Sequence, residues 1–580
     1  MSRAPGCAAL RRGLAVAVLV GLLLHPLGGG TGETVPGDPG TDALRGAWGL
    51  DHLWRALPPG GAGWWSAQVW FPYGALLVPL PGASAALLSP VSALLGPAAG
   101  AWAALAVQLW LLGFGAATLA AATTRRASVG LAAAGLVLGA PAIHAAWMDG
   151  TPEHLAWGLL PLGLAALVRA RSRAPGIAGL GAAALLAVVP FDSPYAAVYA
   201  VPLGAAALAT AGPRARAPVG VALLGALLGV LTFAALRHAL GHPPSPPGLR
   251  AAEWATNAVH PLTCLDAAPR PRAPGTVPAA PPAAVLGAIT GLVLLGIRRG
   301  AAPWALAAAA MALAAFGLHP ALESVAPLRL VHAANAALHE LPGFGEIRFP
   351  RRWWAPATLA AALAAGPGLA RALRRLPRRA EGPVGLALGA AALLAGARHS
   401  GVWAPFPAAP LSAIAAADWI AAQPTPGAVL TLPHAPPPAA DPARAPRPFG
   451  GIATPTVGAD TLQLQLRHRR PILDGPALWT AAPLRIDLGL HFALRSLDAL
   501  ALPVREGRPI PPSARTGDGP LPRAAAIAAL HAQGLRFVVI DRALYAGEGE
   551  ALVGDAFAPW TAQVVDFADG EGLRVIRLRD

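Results

Sequence analysis

No lysine occurs anywhere in the 580 residues; all 44 basic side chains are arginine. That absence excludes Schiff-base chemistry, pyridoxal-phosphate anchoring and a Walker lysine. Charge of either sign is scarce, at 13% of residues against roughly 25% for a soluble domain. The two cysteines, Cys7 and Cys264, cannot supply a zinc or iron–sulfur framework. The topology drawn below sets them on opposite sides of a bilayer, where they cannot pair. No carboxylate or histidine is evident near the middle of an apolar run beyond His144, which sits near an outer end, and this argues against proton pumps and ion-coupled transporters. What is abundant is apolar surface: 55% hydrophobic residues and a mean hydropathy of +0.51. A soluble globule, a disordered chain and a fibrous repeat are excluded, leaving a polytopic α-helical membrane protein.

About eleven apolar runs long enough to be spans fall near 13–28, 99–122, 129–147, 154–169, 176–191, 196–212, 218–236, 282–297, 302–318, 354–370 and 383–398. The first follows Arg3, Arg11 and Arg12 and has the basic start of a signal peptide. Its exit, His25 to Gly30, lacks an A-x-A pattern, so it reads as a retained span. Alternate turns carry Arg125-Arg126, Arg169/Arg171/Arg173, Arg214/Arg216, Arg298-Arg299 and Arg371 to Arg379, with Glu381 their one acid. This asymmetry places the N-terminus inside and residues 401–580 outside, and it accounts for the +15 charge without nucleic acid. The outer loops are then 29–98, 148–153, 237–281 and 319–353. Residues 66–98, broken by Pro72, Pro79, Pro81 and Pro90, read as short helices on or re-entering the surface; a hairpin of two further spans is the alternative.

From residue 401 the pattern changes. Helical stretches at 411–423 and 523–533 each precede a buried-strand pattern, Ala428–Leu432 and Arg536–Ile540, with Gly534 as a helix C-cap. This predicts a compact α/β domain, 401–580, folding on its own beside a transmembrane domain, 1–400. Residues 435–448 and 502–522 are Pro-rich loops.

The polar residues collect in the outer loops. The first contains Gly37-Asp38-Pro39-Gly40-Thr41-Asp42, then Trp48-Gly49-Leu50-Asp51-His52 and Phe71-Pro72-Tyr73-Gly74. With Gly150–Leu162, Leu341–Phe344, Arg348–Arg352, His468–Gly475 and Gly534–Ile540, it resembles GT-C type membrane glycosyltransferases and related bacterial integral-membrane proteins. The likeness covers most of the chain in layout, through short motifs. It implies sugar transfer, with inversion, from a polyprenyl-phosphate donor to a polysaccharide, lipid or protein acceptor at the outer face of the bacterial inner membrane. A non-catalytic scaffold or export protein on the same fold is the alternative.

In such enzymes a first-loop carboxylate is the general base, so the resemblance points to Asp42, with Asp38 second. Either carboxylate equally suits a turn or the N-cap of a helix starting near Ala43. Asp149, Glu153 and His154 would bind substrate, and a second carboxylate there could hold a divalent ion; an ordinary N-cap with Pro152 in the first turn is the structural alternative. Arg348, Arg351 and Arg352 lie outside, against the arginine trend, beside Trp353-Trp354. They either clamp the donor phosphate or anchor a helix at headgroup depth. His319, His332, His339 and Glu340 match no helical ligand spacing, and no metal site is assigned.

Overall fold

A computed structural model of the chain describes residues 5–25, 34–37, 43–56, 65–66, 75–76, 82–148, 154–170, 175–210, 216–239, 283–296, 301–319, 321–324, 326–341, 344, 350–403, 408–410, 414–433, 464–465, 467–473, 496–518, 522–545, 547–567 and 572–580. Each of the eleven apolar runs forms helix. Among the described residues two helices, Pro5–Leu24 over its Cys7–Leu24 part and Pro97–Thr124, are long and apolar enough to cross a membrane; a bent pair gives a third, and six shorter apolar helices accompany them.

Pro97–Thr124 is the hub, packing against Pro5–Leu24, Ala43–Ala56, Gly82–Leu95, Ala127–Leu138, Leu159–Ala170 and Trp354–Ala372. Gly96 adopts φ +91°, which turns the chain out of Gly82–Leu95, and Pro97 opens the helix where no N–H is needed. The run 129–147 is bent by 46° between Ala127–Leu138 and Pro141–Met148. Pro141 has no N–H to continue the ladder. His144, fully buried, repairs the break: its Nε2–H donates to Leu138 O at 2.9 Å, and its Nδ1 lies 2.8 Å from the Ser400 hydroxyl. His144 is therefore a backbone cap.

Among the described residues, Arg12 and Arg126 mark one end of the bundle. Arg126 donates to Glu381 Oε1 at 2.9 Å and to Leu373 O at 3.3 Å, and Arg12 donates to Thr118 Oγ1 at 3.3 Å. At the opposite end β1 (Thr34–Pro36) pairs with a strand at 408–410, antiparallel, with Val35 opposite Ala409. Trp102 Nε1 donates to Thr34 O at 2.8 Å, and Trp403 Nε1 donates to Leu23 O at 3.0 Å. In the first loop, β2 (Trp65–Ser66) and β3 (Ala75–Leu76) form a short hairpin before Gly82–Leu95. The strand at 408–410 is β4.

Beyond it, β5 (Ala428–Leu432), β6 (Leu535–Asp541), β7 (Thr561–Phe567) and β8 (Leu573–Leu578) form a sheet ordered β5-β6-β8-β7, parallel only between β5 and β6. The expected helices appear at Ala415–Ala422 and Arg523–Ala532, and Gly534 takes φ +109°. The Pro-rich stretch 502–522 departs from a plain loop, holding short helices at Leu502–Glu506 and Pro512–Thr516.

Alternate residues of the strands face two cores. Leu430, Val538, Ile540 and Ile576 pack with Ile527, Leu530, Val553 and Phe557 of the helices within this segment. Val429, Phe537, Val539 and Val575 share a core with Leu44, Ala47, Trp48, Leu50 and Leu53, and with Ala98, Ala101 and Ala104 of the hub helix. The first-loop helix Ala43–Ala56 thus lies in a core shared by the hub helix and the sheet. One face of the sheet is completed from outside 401–580. A 401–580 fragment is expected to melt broadly and bind a hydrophobic dye. A sharp, cooperative melt matching the full chain would show that the first-loop helix adds nothing.

Arg470 ties the 464–473 segment to the sheet. Its guanidinium donates to the carbonyls of Ile420 (2.9 Å), Gln423 (2.6 Å) and Thr425, closing the end of Ala415–Ala422, and lies 4.6 Å from the Phe537 ring centroid. Beside it His468 is buried, with Nδ1 accepting from the Arg470 backbone N–H at 3.0 Å. Burial, then the Arg470 cation, push its imidazole down to about 3. The unfolded chain therefore binds a proton that the folded chain refuses between about 6.5 and that value. Stability should fall as pH drops through this window, by at most about 1.4 kcal/mol per pH unit from this group. Melting of wild type and His468→Gln from pH 7 to 4 should show a steeper loss in wild type; parallel curves would remove His468 from the acid response.

Candidate active site

Three connections at the sheet end of the bundle converge on one helix. They are the turn 154–158 leading into Leu159–Ala170, the link between Pro175–Asp192 and Pro194–Thr210, and the 3-10 turn Pro350–Trp353 that opens Trp354–Ala372. Tyr195 and Tyr199, one helical turn apart on Pro194–Thr210, receive side chains from the other two. The His154 ring meets the Tyr195 ring with centroids 4.4 Å apart, and the Arg352 guanidinium carbon lies 5.0 Å from the same centroid. Tyr199 packs against Trp157 at 6.0 Å and Trp353 at 5.4 Å, and its hydroxyl donates to Arg352 O at a long 3.4 Å. Phe344 stacks on Trp353 at 5.6 Å. His154, Trp157, Tyr199 and Trp353 are buried, whereas Tyr195 and Arg352 are half-buried.

Of the residues singled out by sequence, the structure brings His154 and Arg352 together through Tyr195. Arg351 is placed only by its backbone in the 3-10 turn. Asp38, Asp42, Asp149, Glu153 and Arg348 lie outside the described residues. Of the first-loop tryptophans Trp48 and Trp54, Trp48 is 4% exposed and stacked on His52 at 5.0 Å within the core shared with the sheet. Trp54 is the exposed one of the pair, at 44%.

Sequence reasoning missed Asp192, Tyr195 and Tyr199. Asp192, 2% exposed, ends its helix in the same link. The signal was available in Phe191-Asp192-Ser193-Pro194-Tyr195, a polar break between two apolar runs on the outer side of the topology. It is too short to stand out as a loop.

Among the described residues no group of three or more His, Cys, Asp or Glu side chains gathers as a metal site. His332 approaches Glu323 at 3.3 Å and His339 approaches its neighbour Glu340 at 3.7 Å, as separate pairs. Asp149 and Glu153, the carboxylates that could hold a divalent ion, lie outside the described residues.

No family model matches the chain, and no curated protein matches it by sequence. Among solved structures, the arabinofuranosyltransferase AftD from Mycobacteria superposes with a TM-score of 0.50 at 19% identity, over 98% of this chain and 41% of AftD. The fold is GT-C-like. The chain spans about two-fifths of the AftD length. The archaeal oligosaccharyltransferase AglB from Archaeoglobus fulgidus, in complex with an inhibitory peptide and a dolichol-phosphate, gives a TM-score of 0.44 at 11% identity over 97% of this chain and 74% of that one. On this GT-C-like frame, the aromatic and arginine cluster stands at the bundle end away from the Arg126–Glu381 pair, where the chain turns from helix to sheet.

Proposed function

We propose that this chain is a membrane glycosyltransferase. It transfers a sugar, with inversion, from a polyprenyl-phosphate donor to an envelope acceptor at the outer face of the inner membrane. The observation that carries the reading is Arg352, a half-buried guanidinium at the end of the bundle opposite the arginine-rich turns, held on a GT-C-like scaffold. In this reading residues 1–400 form the transmembrane domain and 401–580 the extracytoplasmic one.

The reaction forms a bond from the acceptor oxygen to the anomeric carbon and breaks the bond from that carbon to the phosphate oxygen. Asp42, with Asp38 behind it, takes the acceptor hydroxyl proton, and the electron pair of the broken bond leaves on polyprenyl phosphate. Arg348, Arg351 and Arg352 meet the growing negative charge on that phosphate, for which a forked guanidinium is the suited donor. Asp149, Glu153 and His154 orient the acceptor from the neighbouring turn.

Charge-assisted hydrogen bonds contribute about 1.5–3 kcal/mol each. Replacing Arg348, Arg351 and Arg352 together by Gln is therefore expected to weaken polyprenyl-phosphate binding at least tenfold, measured on folded protein in nanodiscs. Unchanged affinity would leave the three as helix anchors.

One observation favours the second reading, a non-catalytic scaffold on the same fold. The helix after Asp42 buries Leu44, Trp48, Leu50 and Leu53 in the core shared with the sheet. Donor binding without sugar release would support that reading.

A further inference from the structure

An arginine on a free stem spreads its charge over many rotamers, and only a fixed fork repeats one geometry. Arg352 is fixed at both its ends by a single helix. Its guanidinium carbon lies 5.0 Å from the centroid of Tyr195, within cation–π range. Its carbonyl accepts from the hydroxyl of Tyr199, one turn further along Pro194–Thr210. The next residue, Trp353, is wedged between the Tyr199 ring and the Phe344 ring, so the 3-10 turn carrying Arg352 is held from two sides. Tyr195 is itself held: the His154 ring lies 4.4 Å from it and comes from a different connection. Arg352 itself is half-buried.

We propose that Tyr195 is a positioning residue for Arg352, aiming its guanidinium at the phosphate of a polyprenyl-phosphate donor, with His154 backing the tyrosine ring. The inference rests on the phosphate role proposed for Arg352. The aromatic face is what matters, and the phenolic hydroxyl is dispensable. Tyr195 touches no reacting atom, and its loss acts only through the direction of the arginine.

The test is binding of a polyprenyl monophosphate to the full chain in phosphatidylcholine nanodiscs. Tyr195→Phe keeps the ring and is expected to bind within about twofold of wild type. Tyr195→Leu removes it and is expected to weaken binding about tenfold, in the range of a desolvated cation–π contact. Arg352→Gln should weaken binding at least as much, and adding Tyr195→Leu to it should change nothing further. Arg352→Lys keeps the charge but has no planar face, and should also lose several-fold. It serves as the second probe should Tyr195→Leu fail to fold by thermal melting. If Arg352→Gln binds like wild type, the phosphate role falls and takes this inference with it. If Arg352→Gln weakens binding but Tyr195→Leu or Arg352→Lys does not, the positioning role is overturned while the phosphate role stands. Equal losses in Tyr195→Phe and Tyr195→Leu would equally overturn it, because the hydroxyl and not the ring would then be responsible.

Discussion

Asp42→Asn is expected to lower sugar transfer by about a hundred- to ten-thousand-fold, the usual contribution of a general base, with donor binding and fold retained. Asp42 immediately precedes the helix Ala43–Ala56. The segment before it is pinned, since β1 pairs with β4 and Trp102 holds the Thr34 carbonyl at 2.8 Å. The helix after it is clamped in the core under Phe537 and Val539. Asparagine keeps the shape and the ability to cap the helix but cannot take a proton. If Asp42→Asn retains more than about a tenth of wild-type turnover, the base is elsewhere, with Asp38 and Glu153 next. Lower melting temperature with unchanged turnover would make Asp42 a helix cap.

Gly396→Val is expected to collapse the membrane fold, with loss of about 3 kcal/mol or more from overpacking against backbone. The helix Glu381–Ser400 crosses Ala127–Leu138 at backbone contact along much of its length. A Cβ on Gly396 would strike the Gly139 carbonyl, one on Gly389 would meet the Leu131 carbonyl, and one on Gly135 would strike the Gly389 backbone. Backbone cannot swing aside as a side chain can, so the crossing must open. It cannot open locally, because Arg126–Glu381 clamps one end and His144–Ser400 the other. Gly287→Ala provides the contrast: nothing lies within 4 Å of its Cβ position, and alanine should be neutral or slightly stabilising there. Melting temperatures in detergent would decide. A Gly396→Val protein as stable as Gly287→Ala would mean that the two helices do not cross this closely.

What was legible in sequence follows local physics. The arginine turns and the apolar runs between them are short-range patterns, and Arg126 with Glu381 sits where that alternation put them. The helix-then-strand order at 415–432 and 523–541 was readable for the same reason, each strand carrying a continuous buried run. The strands β7 and β8 were not, because Thr561–Phe567 is largely exposed and mixes Gln and Asp with its valines. Long-range placement was illegible altogether. Nothing in Thr34–Pro36 names Ala408–Pro410 as its partner, and the apolar face of Ala43–Ala56 fits a membrane surface as well as the underside of a sheet. In the candidate site, His154 and Arg352 stood out by chemistry, yet the tyrosine that joins them lies at the start of an otherwise apolar helix.

The central claim, sugar transfer from a lipid-linked donor, is tested most directly by sugar release from the purified full chain in nanodiscs. The substrates would be a panel of radiolabelled polyprenyl-phosphate-linked pentoses and hexoses. A glycosyltransferase built on Asp42 and the outer arginines should yield free polyprenyl phosphate from at least one donor. Release should be lost in Asp42→Asn and weakened in the Arg348, Arg351 and Arg352 triple variant. Folded protein that releases sugar from no donor, and binds polyprenyl phosphate no better than that triple variant does, would contradict it.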